Sequence, residues 1–499
     1  MSIKQRIAKQ WAKRIVKTTK KWANNPIKTQ QKVLKDLVKT AKNTAFGKDH
    51  DFESINNYDD FKSRVPVNDY EGLRYYVDRM VAGEEDVLWQ GKPLYFSKTS
   101  GTTSGVKYIP ISKESMPTHI KTAQNALFHY IHNSGDASFV DGKLIFLQGS
   151  PILSKTNGIA TGRLSGIVAH YVPSYLQRSR MPSWQTNCIE DWEQKVDAIV
   201  DETVHEDMRL ISGIPPWVKM YFERLKEKSG KSISSLFPNF SLFVYGGVNY
   251  EPYRNALEEL IGKKVDSVEL YPASEGFIAF QDQLDKKGML LQLNSGIFYE
   301  FIEADKIHEA SPPRISLADV KIGVNYAIIL NTSAGLWGYN IGDTVEFVSL
   351  NPYRIIVSGR IKHFISAFGE HVIGKEVEHA MKNTVKKYQA YVSEFTVAPQ
   401  VTPEEGLPHH EWWVAFDKPP KDLATFAATL DLEMRNQNTY YDDLISGGVL
   451  RPLVLRTLPA DAFEHYMKSI GKLGGQNKTP RLTNDRKIAD TLNKLFQIK

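Results

Sequence analysis

The sequence predicts an α/β protein, with a large N-terminal domain of layered sheets and helices and a smaller α+β C-terminal domain. Its 499 residues suffice for two or more domains. Strand-like apolar stretches alternate with amphipathic helical stretches, which is the pattern of α/β layering. The strand-like stretches are residues 144–147, 242–245 and 327–330, and the helical ones are residues 114–132, 190–203, 215–228 and 252–261. We expect the boundary near Arg360, which gives domains of residues 1–360 and 361–499.

The composition indicates a globular protein, with 41% hydrophobic and 24% charged residues. No apolar run approaches the ~18 residues that a transmembrane helix needs, and we find no signal-peptide core. The single cysteine, Cys188, excludes an intramolecular disulfide and a cysteine-cluster zinc site. It also lacks the glycine elbow or nearby histidine of a nucleophile. We therefore expect a cytoplasmic location. Separately, we expect the protein to be a monomer.

The first 90 residues are predicted to be mostly helical, and their charge is strongly asymmetric. Eleven cations precede the first acidic residue, Asp36. Apolar residues recur every four positions as an amphipathic stripe, namely Ile3, Ile7, Trp11 and Ile15, with Ala8 and Ala12 beside them. Such a basic amphipathic start fits a nucleic-acid arm, a membrane-surface helix or a transit peptide. We expect instead that the helix packs its Ile/Trp face on the body and leaves its lysines in solvent. No nucleic-acid partner and no stable membrane association are then expected.

A loop rich in glycine and small hydroxyl residues, 98–110, predicts a phosphate cradle for a nucleoside triphosphate. Little side-chain bulk lets backbone N–H groups approach an anion, and Lys107 adds positive charge. The loop is not a Walker A motif, because Val106 occupies the second glycine position and Tyr108 follows the lysine. An ordinary polar turn is the alternative that this loop alone leaves open. The candidate phosphate ligands are Ser100, Gly101, Thr102, Thr103 and Lys107.

Three further motifs follow the loop in a fixed order. The sequence Tyr-Pro-Ala-Ser-Glu-Gly at 271–276 follows a strand-like stretch, and segments 338–345 and 358–372 each contain glycine next to a charged residue. Together the four motifs resemble those of the adenylate-forming superfamily. Within it the chain is most similar to the bacterial type of acyl-acid amido synthetase of the auxin-responsive promoter family. The resemblance spans about residues 95–481.

The resemblance implies ATP and Mg²⁺ as cofactors and assigns roles to individual residues. Glu275 would ligate Mg²⁺, Ser274 would contact the α-phosphate, and the loop with Lys107 would hold the β- and γ-phosphates. Asp343 would accept from both ribose hydroxyls, and Arg360 would reach ribose or phosphate. The nucleotide site would also include Gly246, Gly247, Val248 and Asn249, which form the adenine wall, and Tyr271.

The superfamily runs two half-reactions in one pocket by swinging its small domain. Lys362 matches the hinge position, and Gly369-Glu370 would begin the loop that approaches the nucleotide in the second pose. The catalytic lysine should lie in the C-terminal domain. We assign it to Lys478, with Lys472 as the alternative.

These features predict an ATP-dependent ligase that converts a carboxylic acid to an acyl-adenylate and passes the acyl group to an amine, with an amino acid as the expected acceptor. One alternative is a thioester-forming ligase that uses coenzyme A. An alternative of another class is a non-catalytic nucleotide-binding protein with a basic interaction helix. The pair His409-His410 fits a surface loop entering a strand better than a metal site.

The acyl pocket is expected between residues 128 and 172 and near residues 271–277, lined by Tyr130, Tyr171 and Phe277. Arg163 is a candidate partner for a second carboxylate of the acid. Ala273 and Asn340 depart from the pattern of plant members, so specificity for a plant hormone is not implied.

Overall fold

The structure is a computed structural model of the 499-residue chain. It describes residues 1–100, 106–172, 174–247, 250–307, 309, 311–361, 364–365, 367, 372–446, 448–474, 478–483 and 485–498. It shows an α/β fold with a large N-terminal domain and a smaller C-terminal domain, as the sequence predicts. The precise division at residue 360 stays a prediction.

The helices of the large domain surround its sheets. They are α1 (Ile3–Ala23), α2 (Pro26–Ala41), α3 (Ala45–Asp49), α4 (Tyr58–Arg64), α5 (Tyr70–Val81), α6 (Met116–Ser134), α7 (Leu164–Ala169), α8 (Ser174–Gln177), α9 (Trp184–Asn187), α10 (Trp192–Thr203), α11 (Pro215–Ser229), α12 (Ile233–Leu236) and α13 (Glu251–Ile261). Short polar side chains begin several of them: Asp69, for example, accepts a hydrogen bond from the Gly72 N–H at the start of α5.

The strands of the large domain form two sheets. They are β1 (Tyr95–Ser100), β2 (Val106–Ile111), β3 (Lys143–Phe146), β4 (Ser154–Thr156), β5 (Ile159–Gly162), β6 (Arg180–Met181), β7 (Met208–Ser212), β8 (Leu242–Gly246), β9 (Asp266–Ala273), β10 (Gly276–Phe280), β11 (Met289–Leu291), β12 (Ile297–Glu303), β13 (Ile315–Ser316), β14 (Asn325–Thr332), β15 (Tyr339–Leu350) and β16 (Tyr353–Arg360). Strands β2-β1-β5-β4 make the smaller sheet, which carries the phosphate loop between β1 and β2.

The larger sheet places the end of β8 beside the turn that follows β9. Among the described residues its strand order is β13-β12-β14-β15-β16-β11-β10-β9-β8-β7-β3-β6. Strands β9, β8, β7, β3 and β6 run parallel to one another, whereas β10 reverses direction against β9. In such sheets ligands bind at the carboxyl ends of the strands. The predicted nucleotide residues 246–247 and 274–275 lie at those ends.

The smaller domain is built around a three-stranded sheet. Its elements are β17 (Phe364–Ile365), β18 (Val372–Ile373), α14 (Gly374–Tyr388), β19 (Tyr391–Gln400), β20 (His409–Lys418), α15 (Leu423–Gln437), α16 (Thr439–Ser446), β21 (Val454–Leu458), α17 (Ala462–Ser469) and α18 (Lys487–Phe496). Side chains alternate across β20, so Trp412 packs with α14 and α15 on one face and Trp413 packs with α17 and α18 on the other. The sheet is therefore covered by helices on both sides.

Two expectations about this fold are wrong. Helix α1 does pack on the body, through Ala12 beside the predicted stripe and through Val16 and Thr19. In the stripe itself, which the sequence predicts to face inward, Ile3, Ile7 and Trp11 are exposed and Ile15 is half-buried. The pair His409-His410 is buried at the start of β20 rather than in a surface loop. His409 accepts a hydrogen bond of 3.1 Å from Arg451.

Polar and apolar contacts join the two domains. Lys219 lies 3.1 Å from Asp417, Lys468 lies 2.7 Å from Glu193, and the Leu473 side chain packs into the large-domain core. In the part of the chain that the structure describes, no helix is long and apolar enough to cross a membrane.

Candidate active site

The turn after β8 brings the two domains into direct contact. Gly247 has a φ of +75°, which favours glycine, and a Cβ there would collide with the ammonium of Lys478. A Cβ on Gly246 would collide with the Leu270 carbonyl of the neighbouring strand. Lys478, which belongs to the C-terminal domain, donates a hydrogen bond to the Gly247 carbonyl oxygen. The structure thus unites the predicted adenine wall with the predicted catalytic lysine.

The electrostatic surroundings of Lys478 connect it to the other predicted nucleotide residues. Burial of its ammonium group, followed by the positive charge of Arg360, lowers the pKa of Lys478 to about 8, against the opposing effect of Asp343. The residue as a whole is exposed to solvent. Lys472, the alternative lysine, is exposed just after α17. The geometry therefore favours Lys478 over Lys472.

Asp343 is held by two partners. Tyr271 donates its hydroxyl hydrogen to one carboxylate oxygen at 2.7 Å, and Arg360 Nε donates to the other at 2.8 Å. Asp343 and Arg360 are opposite each other on the antiparallel strands β15 and β16. The Asp343 charge raises the pKa of Arg360, and burial followed by the same charge raises the pKa of Tyr271. The carboxylate is thereby fixed in position and orientation.

Glu275 lies in the two-residue turn between β9 and β10. Desolvation, followed by the Asp343 charge, raises its pKa to about 7, while a backbone hydrogen bond and the charges of Arg360 and Lys107 oppose the shift. The surroundings destabilise the charged form of this carboxylate, so a bound cation would stabilise it. Because carboxylate and phosphate oxygens are the ligands that Mg²⁺ prefers, Glu275 fits the predicted metal role.

Strands β1 and β2 form a hairpin around the predicted phosphate loop (the phosphate hairpin), and it is anchored on both sides. Ser97, buried on β1, shares a hydrogen bond of 2.8 Å with Ser274. On the other side, the Tyr70 hydroxyl accepts a hydrogen bond of 2.9 Å from the Tyr108 N–H, and Lys107 Nζ lies 5.4 Å from the centre of the Tyr70 ring. The hairpin is therefore fixed next to the turn that carries Glu275.

Several predicted residues lie outside the described part of the chain. Only the backbone of Ser100 is described, at the end of β1. The others, covering the phosphate loop, the adenine wall and the hinge, are Gly101, Thr102, Thr103, Val248, Asn249, Lys362, Gly369 and Glu370. Their roles stay predictions.

Two of the expected acyl-pocket residues belong to the core instead. Tyr130 and Phe277 are buried in one apolar cluster, and Tyr130 donates a hydrogen bond of 3.0 Å to Asp266. Tyr171 is half-buried and donates a hydrogen bond of 3.0 Å to Tyr95. Arg163 is exposed and makes no ion pair with the described residues.

Local sequence patterns contain little signal for the residues that hold the loop carrying Lys478 (the lysine loop) against the large domain. Arg481 donates to the Tyr253 hydroxyl at 3.1 Å and lies 3.3 Å from Glu378. The Tyr253 hydroxyl in turn donates to Glu394 at 2.8 Å. Gly474 approaches Trp192 so closely that a Cβ would lie 2.6 Å from the Trp192 Cβ. Among these residues, the local sequence pattern singled out only Gly474 and Arg481. Their partners are distant in sequence, so no local pattern connects them.

The fold and these residues define an adenylate-forming ligase. The GH3 family N-terminal, central and C-terminal domains match residues 15–190, 290–360 and 375–487. The chain belongs to the GH3 family of acyl-acid amido synthetases, which confirms the resemblance seen in the sequence motifs.

Two curated relatives match over most of their length. The chain is 23% identical to jasmonoyl-L-amino acid synthetase GH3.5 of Oryza sativa subsp. japonica, covering 85% of this chain and 86% of the relative. It is 22% identical to indole-3-acetic acid-amido synthetase GH3.15 of Arabidopsis thaliana, covering 86% of each.

Two solved structures share the fold. A GH3.15 acyl acid amido synthetase matches with a TM-score of 0.80 and 16% identity, over 96% of this chain and 95% of that one. A 2-hydroxyisobutyryl-CoA ligase in the postadenylation state matches with a TM-score of 0.56 and 13% identity, over 95% and 92% of the two chains. The adenylate-forming fold therefore extends through both domains.

Proposed function

We propose that this enzyme uses ATP to convert a carboxylic acid to an acyl-adenylate and then transfers the acyl group to the amino group of an amino acid. The observation that carries the proposal is the contact of Lys478 with the Gly247 carbonyl. It places a cation of the small domain at the predicted nucleotide site of the large domain. Family membership supports the same reaction.

In the first half-reaction a carboxylate oxygen attacks the α-phosphorus of ATP, and the bond to pyrophosphate breaks. Two anions must approach each other, so positive charge is needed at the α-phosphate and along the leaving group. We assign the charge at the α-phosphate to Lys478 and the charge at the leaving group to Lys107 with the loop N–H groups. Ser274, fixed by Ser97, contacts the α-phosphate.

Glu275 would hold Mg²⁺ in this site, together with oxygens of the triphosphate. The bound ion would neutralise phosphate charge. The contribution of the protein is a carboxylate placed beside the phosphate hairpin by a short turn. Its raised pKa keeps part of the population protonated near neutral pH until a cation favours ionisation.

The nucleoside is positioned by the Asp343 cluster and the glycine turn. Each Asp343 oxygen already accepts one hydrogen bond and retains a lone pair for a ribose hydroxyl. Tyr271 and Arg360 thus orient the carboxylate without saturating it. Adenine would lie against Gly246 and Gly247, with Val248 and Asn249 completing the wall.

In the second half-reaction the lysine must withdraw so that the amine can enter. Two ion pairs between the domains, Lys468–Glu193 and Lys382–Glu251, are partly exposed, and such pairs contribute roughly 0–1 kcal/mol each. Contacts this weak can break and reform in every cycle. We assign the pivot to Lys362 and the incoming loop to Gly369-Glu370.

The test is a product assay with the full-length enzyme. ATP, Mg²⁺ and a panel of carboxylic acids are supplied with amino acids, with coenzyme A, or with neither, and pyrophosphate and product mass are measured. We expect pyrophosphate and AMP, with an amide formed from one class of amino acid. Formation of ADP would refute adenylation, and an exclusive thioester product would favour the coenzyme A alternative.

A cytoplasmic location and a monomeric state are part of the same proposal.

A further inference from the structure

Helix α1 presents an apolar stripe to solvent. Ile3, Ile7 and Trp11 are 77%, 53% and 59% exposed. At about 100° per residue the three lie within about 80° of one another on the helix, and Ile3 and Trp11 are about 12 Å apart along its axis. This patch lies outside the proposed catalytic site, so the inference goes beyond the proposed function.

The opposite side of the same helix is firmly attached to the large domain. Ser2 and Gln5 donate hydrogen bonds of 2.6 and 2.7 Å to Asp141, and His129 and Thr19 share one of 3.1 Å. Ala12 is fully buried. The exposed stripe is therefore a fixed surface of the folded protein and not the result of a loose segment.

The rest of the exposed surface of α1 is basic. The helix contains no acidic residue, and in the part of the chain that the structure describes none of its cations forms an ion pair. These cations are Lys4, Arg6, Lys9, Lys13, Arg14, Lys17, Lys20 and Lys21. An apolar stripe bordered by unpaired cations is the pattern of helices that lie in the interface of anionic bilayers.

We propose that helix α1 docks this enzyme onto an anionic lipid surface, with Ile3, Ile7 and Trp11 inserted among the lipid headgroups. The flanking cations face the lipid phosphates and carboxylates. A second copy of the chain is a poorer occupant, because two such helices would repel each other. A nucleic acid is also poorer, because phosphate contacts make no use of the apolar stripe.

The test is co-sedimentation of the full-length protein with vesicles. One set contains equal parts phosphatidylserine and phosphatidylcholine, and the other contains phosphatidylcholine alone. At about 0.1 M salt, where the screening length is about 10 Å, we expect binding to the anionic set only. Ile7→Gln/Trp11→Gln should weaken binding by roughly tenfold or more. Lys13→Gln/Arg14→Gln/Lys17→Gln should weaken it by roughly a hundredfold, about fivefold per charge.

The control is Leu432→Gln on α15, which removes a leucine that is 54% exposed elsewhere on the surface. It should bind vesicles like the unaltered protein and melt at the same temperature. The lysine and arginine variant should also melt at that temperature, whereas Ile7→Gln/Trp11→Gln should melt slightly lower because the Trp11 ring contacts Phe128. Absence of binding to the anionic vesicles overturns the proposal. Binding that survives Ile7→Gln/Trp11→Gln and is competed away by duplex DNA indicates a nucleic-acid arm instead. Self-association abolished by the same double variant indicates a second copy.

Discussion

The ammonium group of Lys478 donates a hydrogen bond to the carbonyl oxygen of Gly247, and this contact joins the C-terminal domain to the predicted nucleotide site. Gly247 permits it because the residue has a positive φ and no side chain. A lysine at this position is available for charge stabilisation only while the domains are in the described arrangement. Its protonation state and its position are therefore both open to test.

The pH dependence of adenylation should report the lowered pKa of Lys478. Burial and the Arg360 charge lower that pKa from 10.5 to about 8, so the side chain loses its proton as pH rises through about 8. We expect pyrophosphate release, measured without amino acid, to fall across this range. Lys478→Arg keeps its charge and should extend activity to higher pH, whatever its maximal rate. Identical profiles for the two proteins would exclude Lys478 as the titrating group.

Replacing Glu275 should separate catalysis from stability. Glu275→Ala should lower pyrophosphate release by roughly 10²-fold or more, as expected for loss of a preorganised charge, whereas the exposed control Glu404→Ala should not. Equal activity of the two variants would refute the metal role.

The same carboxyl group should destabilise the metal-free protein. Between pH 4.5 and about 7 the folded protein holds a proton that the unfolded chain has released, so stability falls as pH rises through this window. Glu275→Gln removes this penalty and should stabilise the protein by about 1–3 kcal/mol at pH 8 and hardly at pH 4. Thermal melting without Mg²⁺ at both pH values measures the difference, and an equal change at both would contradict the raised pKa.

Replacing Gly474 tests the role of the lysine loop without changing Lys478 itself. Its φ is +79°, and in Gly474→Ala the new Cβ would lie 2.6 Å from the Trp192 Cβ. We expect adenylation to slow by roughly 5- to 30-fold, because the substitution should destabilise the described arrangement of the two domains by about 1–2 kcal/mol. Gly471→Ala is the matched control, because Gly471 has a φ of +65° and no atom within 4 Å of the new Cβ. Equal slowing by both would mean that backbone strain alone matters.

The sequence predicted the parts of the site that depend on local chemistry. A tight turn that must carry a carboxylate, such as Ser274-Glu275, leaves a short recognisable pattern. A glycine turn after a strand, such as Gly246-Gly247, also leaves a short recognisable pattern. The Tyr253–Glu394 hydrogen bond and the Trp192–Gly474 approach arise only when two domains meet, and the partners are far apart in sequence. Periodicity and motifs contain no information on such an arrangement.

Helix α1 shows why a clear pattern predicted the wrong face. Spacing singled out the large residues Ile3, Ile7, Trp11 and Ile15. The buried face is made mainly of smaller residues such as Ala12, Val16 and Thr19, and the Trp11 ring adds a contact with Phe128 of α6, with 6.3 Å between the ring centres. Hydrophobic periodicity identified the helix, but shape complementarity with α6 decided which side is buried.

The most direct test of the central claim is a single-turnover comparison of the two half-reactions in Lys478→Ala. One reaction supplies ATP and the acid and follows pyrophosphate, and the other supplies preformed acyl-adenylate and an amino acid and follows AMP. If Lys478 serves adenylation and withdraws before transfer, the first reaction should be abolished while the second remains largely intact. Equal loss of both would contradict the assignment of Lys478 to adenylation alone, and with it the domain alternation proposed for this enzyme.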